Sequence, residues 1–97
     1  MIEVRQTETF ARWLQRLKDV KAKGRVLIRI RRLELGNPGD VKPVGEGVSE
    51  LRIDYGAGYR VYFKQNGPKL VILLAGGDKD SQQKDIESAK MLARELE

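Results

Sequence analysis

The sequence contains no cysteine and no histidine. Without cysteine there can be no disulfide bond, thiolate nucleophile or zinc–thiolate site. Without histidine the chain lacks the usual general base and a common metal ligand, so any chemistry has to use Lys, Arg, Tyr, Asp or Glu. The acidic residues are scattered singly, with no two-carboxylate motif and no calcium-binding loop. We therefore expect neither a metal nor a cofactor.

Long hydrophobic runs are missing as well. The longest apolar run is far shorter than the roughly 20 residues of a membrane span, and the N-terminal MIEVRQTETF lacks the apolar core and cleavage site of a signal peptide. We expect a cytoplasmic protein. A chain of 97 residues with 40% hydrophobic content is adequate for one domain over residues 1–97 with one modest core.

Positive charge is present in excess and is unevenly distributed. The net charge is +5, and residues 1–35 hold ten Lys and Arg against four Asp and Glu. Residues 36–79 are nearly balanced at +1, and residues 80–97 carry −2. A basic first third favours a polyanionic partner, nucleic acid before membrane. The alternative is an ordinary solvated helix surface.

The first elements are predicted from hydrophobic spacing. A short strand is expected over residues 2–6, and Thr7 can cap a helix that follows. Trp13 lies within an apolar stripe, so we predict that it packs in the core rather than stacking on a base. The stripe comprises Phe10, Trp13, Leu14 and Leu17.

A second helix is predicted from about residue 21 to residue 35. Its inward positions are Ala22, Val26, Ile30 and Leu33, and its outward face carries Lys21, Arg25, Arg29 and Arg32. Cations at this spacing repel one another, so we interpret the face as an electrostatic binding surface for a polyanion such as nucleic acid. Alternatively, the arginine stems pack against the edge of the sheet.

Residues 36–47 are rich in Gly and Pro and are predicted to form an irregular connector. A final helix is expected near the C-terminus, capped by Asp80 with Gln83 in the reciprocal position. It either docks on its own sheet or binds a partner protein. Its apolar stripe comprises Ile86, Ala89, Leu92, Ala93 and Leu96.

Residues 48–82 predict three consecutive antiparallel strands with cationic side chains on one face. A three-residue loop at 56–58 would place Asp54 opposite Arg60, Arg52 opposite Tyr62, and Glu50 opposite Lys64. Cross-strand ion pairs would account for these charges without any site. The third strand, 69–75, is apolar throughout, which predicts a central strand covered on both faces.

The segments ELRIDYGAGYRVYF and LLAGGDKDSQQKDI, together with the order of elements, resemble the RelE/ParE superfamily of bacterial toxins. The nearest resemblance is to HigB-like addiction module killer proteins. It implies an α+β, RelE-like fold with the order β-α-α-β-β-β-α. Many members of the superfamily cleave mRNA in the ribosomal A site without metal and are silenced by a cognate antitoxin.

The resemblance also implies site residues. Arg60 of GYRVYF matches the phosphate-facing arginine of the superfamily, and Arg52 matches a cationic position on the preceding strand. Lys79 lies where a basic group often follows the last strand, and it is our candidate for proton transfer. Tyr62 and Lys64 share the predicted face of Arg60 and are candidate RNA contacts. With an RNA target implied, the cationic face of the second helix becomes a candidate surface for RNA or the ribosome, through Lys21, Arg25, Arg29 and Arg32. On an exposed face, Arg60 should add at most about 1 kcal/mol to stability.

The function implied is that of a toxin acting as a ribosome-dependent mRNA endoribonuclease, in which the 2′-hydroxyl attacks the phosphate. The expected partners are a helix-turn-helix antitoxin, through which the toxin oligomerises, and the ribosome with its mRNA. One alternative is a ParE-like DNA gyrase poison without chemistry of its own. Another is an inactive relative that binds RNA or its antitoxin.

Overall fold

The structure, a computed structural model, describes residues 1–96, so Glu97 lies outside it. The fold class is α+β, as predicted. The elements in chain order are β1 (Glu3–Gln6), α1 (Glu8–Arg16), α2 (Val20–Glu34), β2 (Val41–Gly45), β3 (Val48–Ile53), β4 (Tyr59–Gln65), β5 (Leu70–Gly77) and α3 (Gln82–Glu95). Within residues 1–96, no helix is long and apolar enough to cross a membrane.

The five strands form one mixed sheet in the order β1-β5-β4-β3-β2. β1 runs parallel to β5, and the other neighbours are antiparallel. β5 therefore lies between two strands and contributes to both core clusters. This confirms the prediction that it is covered on both faces.

Strand β2 was not predicted from the sequence, which we interpreted as an irregular connector at this point. β2 is the outermost strand and contains Pro43, and its pairing with β3 shifts between Pro43 and Gly45. Proline is tolerated on a sheet edge because its missing N–H is not needed there. The Gly and Pro residues that predict a loop are thus equally compatible with an edge strand.

The hairpin of β3 and β4 has a different register from the one predicted. Arg52 lies opposite Arg60, and Glu50 lies opposite Tyr62 rather than Lys64. The loop spans residues 54–58 and leaves Asp54 unpaired with any strand residue. A slip of two residues keeps every side chain on its predicted face, because the period of a strand is two. The predicted faces are therefore right and the predicted cross-strand pairs are wrong.

Helices α1 and α2 cover one face of the sheet. Thr7 caps α1 as predicted, accepting a hydrogen bond from the backbone N of Phe10 at 3.1 Å. Trp13 packs over Gly76, where an added Cβ would lie 2.2 Å from the indole ring. Glycine is therefore required at position 76. The buried cluster on this face comprises Phe10, Val26, Leu33, Leu51, Ile53, Val61, Phe63, Val71 and Leu73.

Helix α3 covers the opposite face, which confirms that it docks on its own sheet. The prediction that Asp80 caps its first turn is wrong. The N-cap is Ser81, which makes no side-chain capping hydrogen bond. Just before the helix, Asp78 Oδ1 accepts hydrogen bonds from the backbone N atoms of Asp80 at 2.9 Å and Ser81 at 3.2 Å. Leu96, assigned to the packed stripe, is exposed. The buried hydrophobic residues of this face are Val48, Tyr62, Leu74, Ala75, Ala89 and Ala93.

Candidate functional site

A buried carboxylate is the centre of the site. Glu50, on β3, is only 1% exposed and lies on the face that α3 covers. Its Oε2 accepts a hydrogen bond from the Tyr62 hydroxyl at 3.1 Å and another from Gln82 Nε2 at 2.9 Å. Burying a charge is costly unless it is paired and hydrogen-bonded. The neighbours of Glu50 meet both conditions.

Two arginines supply the compensating charge. Arg52 Nε lies 3.4 Å from Glu50 Oε1, and Arg60 Nε lies 3.5 Å from Oε2. Both distances exceed the usual hydrogen-bond range, so these contacts are ion pairs. Arg52 and Arg60 lie directly opposite each other on adjacent strands. Like charges in that position repel, and the carboxylate between them offsets the repulsion.

The two arginines differ in exposure. Arg60 Nη1 donates to the carbonyl oxygen of Gly58 at 2.8 Å, and the Arg60 side chain is 13% exposed. The Arg52 side chain is 40% exposed. Within the described residues no hydrogen bond from this guanidinium is found, and the exposed part of the side chain is available to an anionic ligand. Guanidinium groups hold phosphate through two parallel hydrogen bonds.

Both arginines line an open cleft of about 550 Å³ beside the β3–β4 loop. Lys79 lines the same cleft, and its backbone N donates to the carbonyl oxygen of Ala57 at 3.2 Å. The structure thus brings together Arg52, Arg60 and Lys79. The rim also carries three carboxylates, from Asp40, Asp54 and Asp80.

Tyr62 does not belong to the accessible face to which we assigned it. It is fully buried, so it cannot stack on a base, and its hydroxyl donates to Glu50. Burial, together with the Glu50 carboxylate, raises the pKa of Tyr62 above its ordinary value. Lys64 lies near the far end of β4, opposite Val48, and does not line the cleft.

The cations of α2 divide into two kinds. Lys21, Arg25 and Arg32 are exposed, and the Arg25 guanidinium lies 4.5 Å from the centre of the Tyr55 ring. Arg29 was predicted on the same exposed face, but its guanidinium donates to backbone carbonyls of the connector and of β3. Burial lowers the pKa of Arg29, with Asp40 opposing the shift.

A groove beside α2 adjoins the cleft. It is lined by Arg25, Arg29 and Arg32 of α2 and shares Ile53 and Asp54 with the cleft wall. Basic surface is therefore continuous from the cleft to the helix. Among residues 1–96, no group of three or more carboxylates is arranged to hold a metal ion.

Sequence reasoning missed Glu50 and Gln82 as parts of the site. Alternation along β3 does place Glu50 on the same face as Val48 and Arg52. The position of Glu50 between the inward-facing Val48 and Arg52 could therefore have indicated a buried carboxylate paired with an arginine. Gln82 is brought to Glu50 only by the docking of α3, for which no local pattern exists.

Comparison with known proteins places the chain in a family. A model described as "Phage derived protein Gp49-like (DUF891)" matches residues 12–96. The chain belongs to the Gp49-like family. This is a toxin-like family of addiction modules. The matched region contains the whole hairpin and every residue of the cleft.

A curated relative is closely similar over nearly its full length. It is an uncharacterized protein of Haemophilus influenzae (strain ATCC 51907 / DSM 11121 / KW20 / Rd), 55% identical over 95 residues, which cover 98% of this chain and 96% of that protein. No solved structure matches the Gp49-like chain.

Proposed function

We propose that this protein is the toxin of a toxin–antitoxin pair and acts as a ribosome-dependent mRNA endoribonuclease. The observation that carries the proposal is the pair of arginines, Arg52 and Arg60, fixed beside an open cleft by the buried carboxylate of Glu50. Membership of a toxin-like family and the resemblance of the hairpin to RelE/ParE toxins support the same function.

The chemistry is cleavage of RNA by its own 2′-hydroxyl. The 2′-oxygen forms a bond to the adjacent phosphorus, the bond from phosphorus to the 5′-oxygen breaks, and a cyclic phosphate and a free 5′-hydroxyl result. Arg52 and Arg60 would stabilise the negative charge that grows on the phosphate oxygens in the transition state. Arginine suits this role because it remains charged and donates two parallel hydrogen bonds.

Two proton transfers accompany the reaction. The 2′-hydroxyl must lose a proton, and the carboxylates on the cleft rim are groups able to accept it. The leaving 5′-oxygen must gain a proton, and Lys79, which lines the cleft next to the β3–β4 loop, is the candidate donor. The cationic surface of Lys21, Arg25 and Arg32 would bind RNA phosphates outside the cleft.

We also propose that a cognate helix-turn-helix antitoxin binds and silences the protein, with oligomers forming through it. An acidic segment of such a partner would be attracted to the basic surface. Association should therefore slow as the salt concentration rises. Co-expression with the neighbouring gene tests this, and failure of the two proteins to co-purify, with no rescue of growth, would contradict it.

The nuclease is tested by single-turnover cleavage on programmed ribosomes. Arg52→Gln should lower the rate by on the order of a hundredfold, the usual loss on removing one preorganised donor. The matched control is Arg94→Gln, because Arg94 forms only an exposed ion pair with Glu46. A folded Arg52→Gln protein that cleaves within a few-fold of the parent would show that the arginine is structural.

Two other outcomes would contradict the proposed function. Efficient cutting of naked RNA would contradict the dependence on ribosomes. DNA damage after induction, without transcript cuts in translated frames, would identify a gyrase poison instead.

A further inference from the structure

Arg29 is an arginine whose contacts differ from those of its neighbours on α2. Its Nη2 donates to the carbonyl oxygens of Pro38 at 3.0 Å and Asp40 at 3.3 Å, and its Nη1 donates to that of Arg52. One guanidinium therefore joins α2, the connector before β2, and the end of β3.

The third of these carbonyls belongs to a residue of the cleft. β2 begins at Val41, which pairs with Leu51, so the ladder between β2 and β3 ends one residue before Arg52. The backbone N of Arg52 still donates to Asp40 at 3.0 Å, whereas its carbonyl oxygen accepts from Arg29. If the β2–β3 ladder were one pair longer, the backbone N–H of Asp40 would donate to the carbonyl oxygen of Arg52. Arg29 donates to that oxygen in its place.

The connector is shaped around the same guanidinium. Gly39 has a φ of 77°, and a Cβ added there would lie 3.1 Å from Arg29 Nη2. Arginine fits this place because its planar group donates in several fixed directions. A lysine ammonium can donate to carbonyls too, but from one point on a flexible stem.

We infer that Arg29 is a positioning residue that fixes the backbone of Arg52, and with it the Asp40 wall of the cleft. It would act on the reaction only through Arg52, so its effect on cleavage rests on the proposed function. Its effect on the Arg52 backbone does not.

The experiment compares Arg29→Gln and Arg29→Lys with Arg31→Gln, a control from the same helix whose parent residue is exposed and pairs with Glu34 of that helix. Hydrogen exchange of the Arg52 amide is measured by NMR, and cleavage is measured over a range of ribosome concentrations. Thermal unfolding of each protein shows how much of any change is global.

Arg29→Gln should speed exchange at Arg52 more than in the central strands, because the carbonyl clamp on that residue is lost. The maximal cleavage rate should fall at least about tenfold, since small misplacements of a catalytic group are costly. The half-saturating ribosome concentration should change little. Arg29→Lys should recover part of both losses. Arg31→Gln should leave the maximal rate, the half-saturating concentration and the exchange of the Arg52 amide unchanged.

Unchanged exchange at Arg52 in a folded Arg29→Gln protein would overturn the inference. Exchange that rises equally across β3 and the central strands would overturn it too, because that pattern means a general loss of stability. If the parent protein does not cleave mRNA, the proposed function fails, while the exchange measurement still decides whether Arg29 fixes Arg52.

Discussion

The two faces of the sheet bury different kinds of side chain. The face under α1 and α2 buries large apolar side chains, including Phe10, Leu51 and Phe63. The face under α3 has a smaller apolar cluster in which the helix contributes alanines, and beside it lies the buried Glu50. The first face follows the pattern of an ordinary hydrophobic core. The second buries a charge next to the cleft.

The difference suggests that one face stabilises the fold and the other positions the arginines. A buried ion pair gains little or no net stability, because desolvation of the charges offsets their attraction. The pairing of Arg52 directly opposite Arg60 is unfavourable as well. Both features are explained if the face under α3 orders two arginines for a ligand while the other face supplies most of the stability.

The largest expected effect comes from the apolar face. Phe10 is fully buried, so Phe10→Ala should lower the free energy of unfolding by about 3–5 kcal/mol. Urea titration measures this. The cleavage rate per folded molecule should stay near that of the parent, because Phe10 does not touch the cleft. The control is Leu27→Ala, at a half-exposed site. A loss under about 1 kcal/mol for Phe10→Ala would mean that this face is not the main core.

A smaller effect is expected at the charged face. Arg60→Ala should destabilise by about 2 kcal/mol, below the roughly 3–5 kcal/mol of a broken buried pair, because Glu50 keeps Arg52, Tyr62 and Gln82. This replaces the expectation, from an exposed position, of at most about 1 kcal/mol.

The matched control for Arg60→Ala is Arg94→Ala, which removes an exposed pair and should change stability by less than about 1 kcal/mol. Equal losses for the two variants, measured by the same urea titration, would show that the burial of Glu50 adds nothing to the pair.

The smallest effect concerns the Tyr62 hydroxyl. Tyr62→Phe leaves Glu50 one donor short and should cost about 1–2 kcal/mol. The raised pKa of Tyr62 means that the folded state holds this proton while the unfolded chain releases it near pH 10. The associated stability is present below that pH and is lost as pH rises towards the folded pKa.

Unfolding free energies measured from pH 8 to pH 11 should therefore fall more steeply for the parent than for Tyr62→Phe. Parallel curves would contradict the burial of this hydroxyl.

Much of the fold was predictable because its signals are local. Hydrophobic spacing gave the helices, and the uniformly apolar β5 was correctly predicted as central. The hairpin faces were also right, since strand alternation does not depend on register. The register itself was not predictable, because the loop at 54–58 permits pairings two residues apart. The edge strand β2 was not predicted because Pro43 and Gly45 are equally typical of a loop.

The candidate site was less predictable than the fold. Arg52, Arg60 and Lys79 were named from motif resemblance, and the structure places all three around one cleft. The carboxylate that organises the arginines was assigned to a surface pair with Lys64. Its burial depends on how α3 docks, and the contacts of Arg29 depend on the path of the connector. Both are tertiary features, which strand alternation and helical spacing alone do not determine.

The central claim is that Glu50 orders Arg52 and Arg60 for phosphate. It is tested most directly by single-turnover cleavage with Glu50→Gln, which keeps the shape of the side chain and removes its charge. Rates are compared with the parent on programmed ribosomes at equal concentrations of folded protein. We expect the rate to fall at least about tenfold, because the arginines lose the charge that holds them in place. A folded Glu50→Gln protein that cleaves within twofold of the parent would contradict the claim.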